Sequence, residues 1–310
     1  MKILHYMKKE NSGLARCTLE FAKYEERLGH QVVVKEPGND MPMYGVEGGG
    51  ADIELVHSQL PPEHYFNNVP KGMWQHGEPL SSVANGVSMK AICDLSNRVD
   101  FFMCMRREEW PIWNSIKRTY MVHKGIDLEV YHPLDGITEK LQGEPAILYC
   151  ENWRGQRNPL YLCVAMQQVF QKFPKARLYL YNCTDKKMEE TFNTFLRACK
   201  LWACGVAGLQ GPVNDINLLY NRVDIVVSCL FPLYARSIEA FGAGRPLICP
   251  GYKAPAYPFT CELDPGSIAD AIINCWDKYE TFNARKWAEE NHDVARTVEE
   301  SLKVYERYAG

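Results

Sequence analysis

The segment Asp224–Cys249 constrains the fold of this chain more than any other. Asp224-Ile-Val-Val-Ser-Cys229 is an apolar run that reads as a buried strand, and Pro246-Leu-Ile-Cys249 is a second, shorter one. Between them lie a turn, a short apolar helix carrying a lone carboxylate, Glu239, and a Gly242-Ala-Gly244 exit. Strand, helix and strand in so short a span make a βαβ unit, and such units build parallel sheets.

The same pattern opens the chain. Ile3–Tyr6 is a short apolar strand, a polar turn runs to Gly13, and Leu14, Cys17, Phe21, Tyr24 and Leu28 recur at helical spacing. Gly29 ends that helix, and Gln31–Val34 is the next strand. Glu54–His57, Phe101–Met105 and Tyr120–Val122 continue as strands, whereas residues 36–52, rich in Gly, Pro and Met, read as a long loop. Pro133–Pro145 is a polar linker bounded by Pro and Gly, after which the pattern restarts. Ala146–Cys150 is a strand, a basic turn follows, Pro159–Phe170 is a helix and Arg177–Tyr181 a strand; helices at 185–199 and Asp215–Tyr220 lead to the segment described above. Residues 282–307 read as one polar amphipathic helical tail. The expectation is an α/β protein of two Rossmann-like domains, 1-133 and 134-285, with 286-310 a C-terminal helix packing back towards the first.

At 310 residues, with 46% hydrophobic and 24% charged side chains, the chain is long enough for two domains with cores of their own. A net charge of −3 gives no bulk electrostatic case for nucleic acid or an anionic membrane. None of the 12 cysteines forms a Cys-x-x-Cys pair, and Cys150, Cys229 and Cys249 sit in apolar runs, so reduced, packed thiols in a cytoplasmic protein are expected, with no metal site. No apolar run approaches the ~20 residues of a membrane span, and no signal-peptide core is expected at the start.

Chemistry concentrates at the turns after strands. A helix that begins at the carboxyl end of a strand offers unpaired N–H groups and a positive dipole end to an anion. Glu239, about one turn inside such a helix, suits a sugar hydroxyl, so the segment fits a nucleotide diphosphate with its ribose; the plainer alternative is a salt bridge to Arg236 or Arg245. Ser237 near the helix start either caps it or touches phosphate. Arg154 and Arg157 follow strand 146–150 directly, at the edge where open α/β sheets bind ligands, and can neutralise a diphosphate; otherwise they decorate a solvated loop. Gly13 lets backbone approach a phosphate or an acceptor, unless Asn11-Ser12 there is only a helix cap. The turn lacks Gly-x-Gly-x-x-Gly, which disfavours a dinucleotide dehydrogenase. His76, after Trp74 and between Pro70 and Pro79, is a candidate by position, with a structural role as the alternative; His57 and His5 rank lower.

Taken together, these pieces resemble glycosyltransferase family 4. Met1-Lys-Ile-Leu4, Gly13 and Leu28-Gly-His-Gln-Val-Val-Val34 are similar to the family's opening strand, glycine loop and helix exit. Gly125-Ile-Asp-Leu-Glu-Val-Tyr-His-Pro133 resembles its domain junction, and Asn217-Leu-Leu-Tyr220, Asp224-Ile-Val-Val227 and Ser237-Ile-Glu-Ala-Phe-Gly-Ala-Gly-Arg-Pro-Leu-Ile248 resemble its carboxyl-half signatures. The resemblance implies the GT-B fold, two Rossmann-like domains facing across a cleft. It implies transfer of a glycosyl group, hexosyl or pentosyl, from a nucleotide-diphosphate sugar to an acceptor hydroxyl, with retention and without a metal or other cofactor. Glu239 then binds the ribose, Arg157 and Arg154 the diphosphate, Gly13 flanks the donor phosphates, and His76 faces the donor sugar. Closure about the linker near Pro133 excludes water.

One departure matters. Where the family often carries a sugar-reading Glu eight positions before the ribose Glu, this chain has Phe231, followed by Pro232, which has no N–H to give. Backbone N–H groups of Leu233, Tyr234 and Ala235, and of Arg236, Ser237 and Ile238 at the helix start, remain for phosphate, while ordinary hexose recognition loses its main reader. The expected acceptor is a saccharide or lipid-linked saccharide (a glycolipid). A hydroxylated base in DNA is the alternative, with Lys8, Lys9, Lys90, Arg106, Arg107, Lys117 and Arg118 as possible contacts. A non-catalytic nucleotide-sugar-binding subunit is a rival from another class, and a nucleotide-sugar epimerase, with Glu78 and Glu151 as acid/base candidates, is a weaker one.

Overall fold

Short apolar strands alternating with amphipathic helices build two parallel sheets. The computed structural model describes residues 1–7, 13–36, 42–45, 50–57, 68–75, 89–105, 107, 109–151, 159–181, 186–210, 213–229 and 235–310. These divide into two compact units, residues 1–125 with 292–310, and residues 126–291.

The first unit runs β1 (Lys2–Tyr6), α1 (Gly13–Arg27), β2 (Gln31–Lys35), β3 (Pro42–Tyr44), β4 (Ile53–His57), β5 (Lys71–Gln75), α2 (Met89–Ser96), β6 (Phe101–Cys104), α3 (Trp110–Ile116) and β7 (Thr119–Met121). Its sheet has the order β3-β2-β1-β4-β5-β6-β7. All neighbours are parallel except β3, which runs antiparallel to β2. Every residue of β4 and β6 is buried, as expected of a parallel sheet covered on both faces. Three strands depart from the sequence expectation, two of them in this unit and the third at residues 206–210 of the second. β3 lies in the stretch that reads as a loop, and β5 leaves no clear apolar run in the sequence because its five residues begin with Lys71 and end with Gln75.

The second unit runs β8 (Ala146–Cys150), α4 (Leu160–Lys172), β9 (Arg177–Tyr181), α5 (Lys186–Ala198), β10 (Val206–Gln210), α6 (Ile216–Asn221), β11 (Ile225–Val227), α7 (Ala235–Gly242), β12 (Leu247–Ile248), α8 (Pro265–Asp277) and α9 (Ala284–Asn291). Its five strands are all parallel, in the order β10-β9-β8-β11-β12. Asp224 fixes the β8–β11 register, taking the Ala146 N–H on its carboxylate at 2.8 Å while its own N–H donates to the Ala146 carbonyl at 2.9 Å.

The last helix, α10 (Val294–Ala309), belongs to the first unit, where it packs on α1. The tail read as one helix over 282–307 is two. It breaks at His292-Asp293, where the Asp293 carboxylate caps α10 by accepting the Ala295 N–H at 2.9 Å. The first passage between units falls at 125/126 and not at the expected 133/134. Ile126, Leu128 and Tyr131 are buried in the second unit's core. Arg285 donates to the carbonyls of Leu128, Tyr131 and Gly242, and Asn221 accepts the Leu134 N–H, so the segment entering the linker is already docked.

Both sheets reverse direction once. The chain builds outward from β1 through β2 and β3, then returns to lay β4 against the other side of β1; in the second unit β9 and β10 extend one way from β8 and β11 and β12 the other. Crevices at the carboxyl ends of strands flanking such a reversal are where open α/β sheets bind ligands.

α7 ends against the docked segment. A Cβ on Gly242 would stand 2.7 Å from the Tyr131 carbonyl oxygen, and Gly244 leaves the helix at φ +75°, a left-handed conformation suited to glycine. Gly242→Ala is expected to lower stability by about 1–3 kcal/mol, measured by urea denaturation. A second expectation concerns His292, whose Nδ1–H donates to the Lys124 carbonyl at 3.0 Å. Burial lowers its imidazole from 6.5 to about 4. The unfolded chain therefore takes up this proton first as pH falls, and stability drains by about 3 kcal/mol between pH ~6.5 and ~4. His292→Gln should flatten the stability profile in that window.

Candidate functional site

In the second unit the reversal lies between β8 and β11, and three carboxyl-edge elements meet there. Glu151 follows the last residue of β8, Ser228 follows the last residue of β11, and Ser237 lies in the first turn of α7. All three are buried. The Ser228 hydroxyl donates to Glu151 Oε1 at 2.7 Å and the Ser237 hydroxyl donates to the same oxygen at 3.0 Å, with the two hydroxyl oxygens 3.2 Å apart. Two residues further along α7, Glu239 is 2% exposed between Ile238, Ala240 and Phe241, which are fully buried. Two carboxylates thus occupy a largely apolar strand-and-helix junction, an expensive placement for charge. Burial raises the Cys229 thiol well above its ordinary value and the Glu151 charge adds to the effect, so this cysteine stays a protonated packing group.

The guanidinium of Arg245, weighed from the sequence as a salt-bridge partner for Glu239, is engaged elsewhere. It donates to the Tyr279 hydroxyl at 2.7 Å and to the Asn221 carbonyl at 3.2 Å. Ser237 and Ile238 are placed at the start of α7 beside Glu239, as their spacing predicts, and Ala235 and Arg236 supply the first backbone of that helix. Arg154, Arg157, Phe231, Leu233, Tyr234 and His76 lie outside the described residues. In the sequence, Arg154 and Arg157 come three and six positions after Glu151, and His76 directly after Gln75, the last residue of β5. Gly13 is the first residue of α1, the helix that follows β1.

The first unit bridges its own reversal with a second buried polar chain. His5 on β1 and His57 at the end of β4 meet through Nδ1 and Nε2 at 2.9 Å, and His5 Nε2–H donates to Glu25 of α1 at 2.7 Å. His57 stacks on Trp74 at the end of β5, with ring centroids 6.1 Å apart, and the Trp74 indole N–H donates to the Tyr305 hydroxyl of α10 at 3.2 Å. Sequence reasoning ranked His5 and His57 low and passed over Glu25. One signal was present: Thr18, Phe21, Ala22 and Glu25 share one face of α1, and a carboxylate on a core-facing stripe demands a partner.

Among the described residues no group of three or more His, Cys, Asp or Glu side chains is placed to hold a metal, and no helix is long and apolar enough to cross a membrane. The eleven described cysteines are free thiols.

Two parallel-sheet units of this topology are the GT-B fold, and solved glycosyltransferases share it over almost the whole chain. A glycosyltransferase from Rickettsia africae superposes with a TM-score of 0.72 at 15% identity, over 99% of this chain and 98% of the other. Sucrose-phosphate synthase from Thermosynechococcus elongatus gives 0.73 at 12% identity, over 99% and 98%. HepE from Anabaena, solved in complex with UDP and glucose, gives 0.66 at 13% identity, over 98% and 99%. No protein-family model matches the chain, and no curated protein matches it in sequence.

The first-unit chain of polar groups carries its own expectation. Glu25→Ala leaves the buried His5 without this acceptor and should cost about 1.5–3 kcal/mol of stability. A loss below about 0.5 kcal/mol in chemical denaturation, the range of an ordinary surface substitution, would show that the pairing is not stabilising.

Proposed function

We propose that the protein is a glycosyltransferase that moves a sugar from a nucleotide-diphosphate donor to an acceptor hydroxyl. The observation that carries this reading is Glu239. It is a carboxylate buried to 2% exposure in α7, a helix that begins just past the carboxyl end of β11 at the strand-order reversal. That position unites the helix-start N–H groups that favour a diphosphate with a carboxylate suited to ribose hydroxyls. The fold supports the reading, and HepE, a neighbour of the same fold, was solved with UDP and with UDP-glucose.

In this proposal the donor belongs to the second unit. Backbone N–H groups of residues 233–238, with the guanidinium groups of Arg154 and Arg157, take up the negative charge that grows on the departing diphosphate, which is the main electrostatic task of the reaction. Glu239 holds the ribose and His76 faces the sugar. Transfer goes with retention and without a metal, the leaving phosphate accepting the proton of the attacking hydroxyl. A saccharide or lipid-linked saccharide is the proposed acceptor, bound by the first unit. Phe231 and Pro232, standing where the related pattern has a Glu and a glycine, favour a donor sugar read by other groups.

A thermal-shift panel of UDP, ADP, GDP and dTDP with their common sugar conjugates tests the reading. At least one should raise the melting temperature, since a ligand bound only by the native state stabilises it. Glu239→Gln should weaken that nucleotide about tenfold or more, while Arg157→Ala should cost turnover more than stability. No stabilisation by any member of the panel would refute the proposal. Binding of a sugar conjugate with neither transfer nor hydrolysis would instead favour a non-catalytic binding subunit.

A further inference from the structure

We infer that Glu151 is a positioning residue of the donor site, a buried clamp that fixes the first turn of α7 and the strand end leading to Arg154 and Arg157 in one arrangement. The inference rests on the glycosyltransferase reading given above and adds a residue that reading did not use.

The geometry assigns the role. Glu151 directly follows β8, Ser228 directly follows β11 and Ser237 lies in the first turn of α7, so a single carboxylate oxygen joins three separate elements at the reversal. In the sequence, Glu151 leads into residues 152–158 and Cys229 into residues 230–234. Both stretches carry groups proposed to meet the diphosphate. The β8–β11 ladder is registered only as far as Val226 opposite Leu148, one residue short of the end of β11 and two short of the end of β8. The hydroxyl–carboxylate bonds extend the tie past the last ladder bond.

The chemistry explains why a carboxylate stands there. Only an acceptor with several lone pairs takes two hydroxyl protons on one atom, and charge-assisted hydrogen bonds are roughly twice as strong as neutral ones. The Glu151 charge lies by the positive end of α7, which offsets part of its burial cost. A consequence follows for Ser237. Its one hydroxyl proton is committed to Glu151, so towards a phosphate the residue offers its backbone N–H and not its hydroxyl. Glu151 therefore decides which atoms of α7 face the nucleotide.

Calorimetric titration of the full chain with UDP, ADP, GDP and dTDP, together with amide hydrogen exchange at residues 227–229 and 237–239, tests the assignment. Glu151→Ala should weaken binding of the preferred nucleotide about tenfold or more and speed exchange at those amides. Glu151→Gln, whose carbonyl oxygen still accepts both hydroxyls, should restore binding to within about threefold of the parent. The double variant Glu151→Ala/Ser237→Ala should bind no worse than Glu151→Ala, because both changes break the same tie. If Ser237 held phosphate through its hydroxyl, the second substitution would weaken binding further, and that result overturns the assignment. Should Glu151→Ala not fold, Ser228→Ala/Ser237→Ala removes both donors and is expected to give the same loss. A folded Glu151→Ala protein that binds as the parent does, whatever its melting temperature, reduces the residue to a structural one. Parent protein that binds none of the four nucleotides removes the donor reading itself, and the role of Glu151 with it.

Discussion

Each sheet of this protein reverses its strand order once, and a buried polar bond crosses each reversal. In the second unit the β8–β11 ladder stops at Val226 opposite Leu148, short of both strand ends, and in the first the β1–β4 ladder runs to Tyr6 opposite Val56, so a side-chain tie adds to the backbone pairing at each. In the second unit Glu151 makes that tie with Ser228 and Ser237; in the first, His5 makes it with His57 and passes it on to Glu25. The central strands β4 and β8 are buried along their whole length, which fixes their pairing but not the course of the chain beyond their ends.

The two knots differ in kind. The Glu151 knot is compact, with one acceptor oxygen and two hydroxyls at the start of a helix. The His5 knot is spread over α1, β1 and β4, with Trp74 of β5 stacked on His57 and reaching Tyr305 of α10. Through Tyr305 the last helix is stitched to strands laid down early in the chain, in addition to its apolar seam of Val294, Val298 and Leu302. Burial pushes the Tyr305 phenol well above its ordinary range, with the Glu25 charge adding to the effect, so it remains a neutral donor and acceptor at this junction.

Much of this was legible in the residues. Alternating apolar runs and helical periodicity fixed most strands, and the position of Glu239 on a short apolar helix after a strand drew attention to the place where β8 and β11 reverse. What escaped had physical causes. β5 is bracketed by Lys71 and Gln75, and β3 is three residues long, so neither leaves a clear period. The Pro- and Gly-bounded linker drew the domain boundary towards Pro133, although Tyr131 and Leu128 are core residues and Arg285, distant in sequence, collects their carbonyls. Arg245 was a plausible partner for Glu239 by proximity in sequence, yet Tyr279 and Asn221 take its guanidinium.

The sequence by itself determined the layered α/β plan, the two-unit organisation and the helix that carries Glu239, because period and punctuation are local properties of a chain. Only the tertiary structure decided that Glu151, Ser228 and Ser237 share one oxygen, that His5 finds His57 and Glu25, and that Trp74 reaches Tyr305 of the last helix. Those pairings join residues about 20 to 230 positions apart, and a buried carboxylate or imidazole takes whichever partner the fold brings within hydrogen-bonding distance.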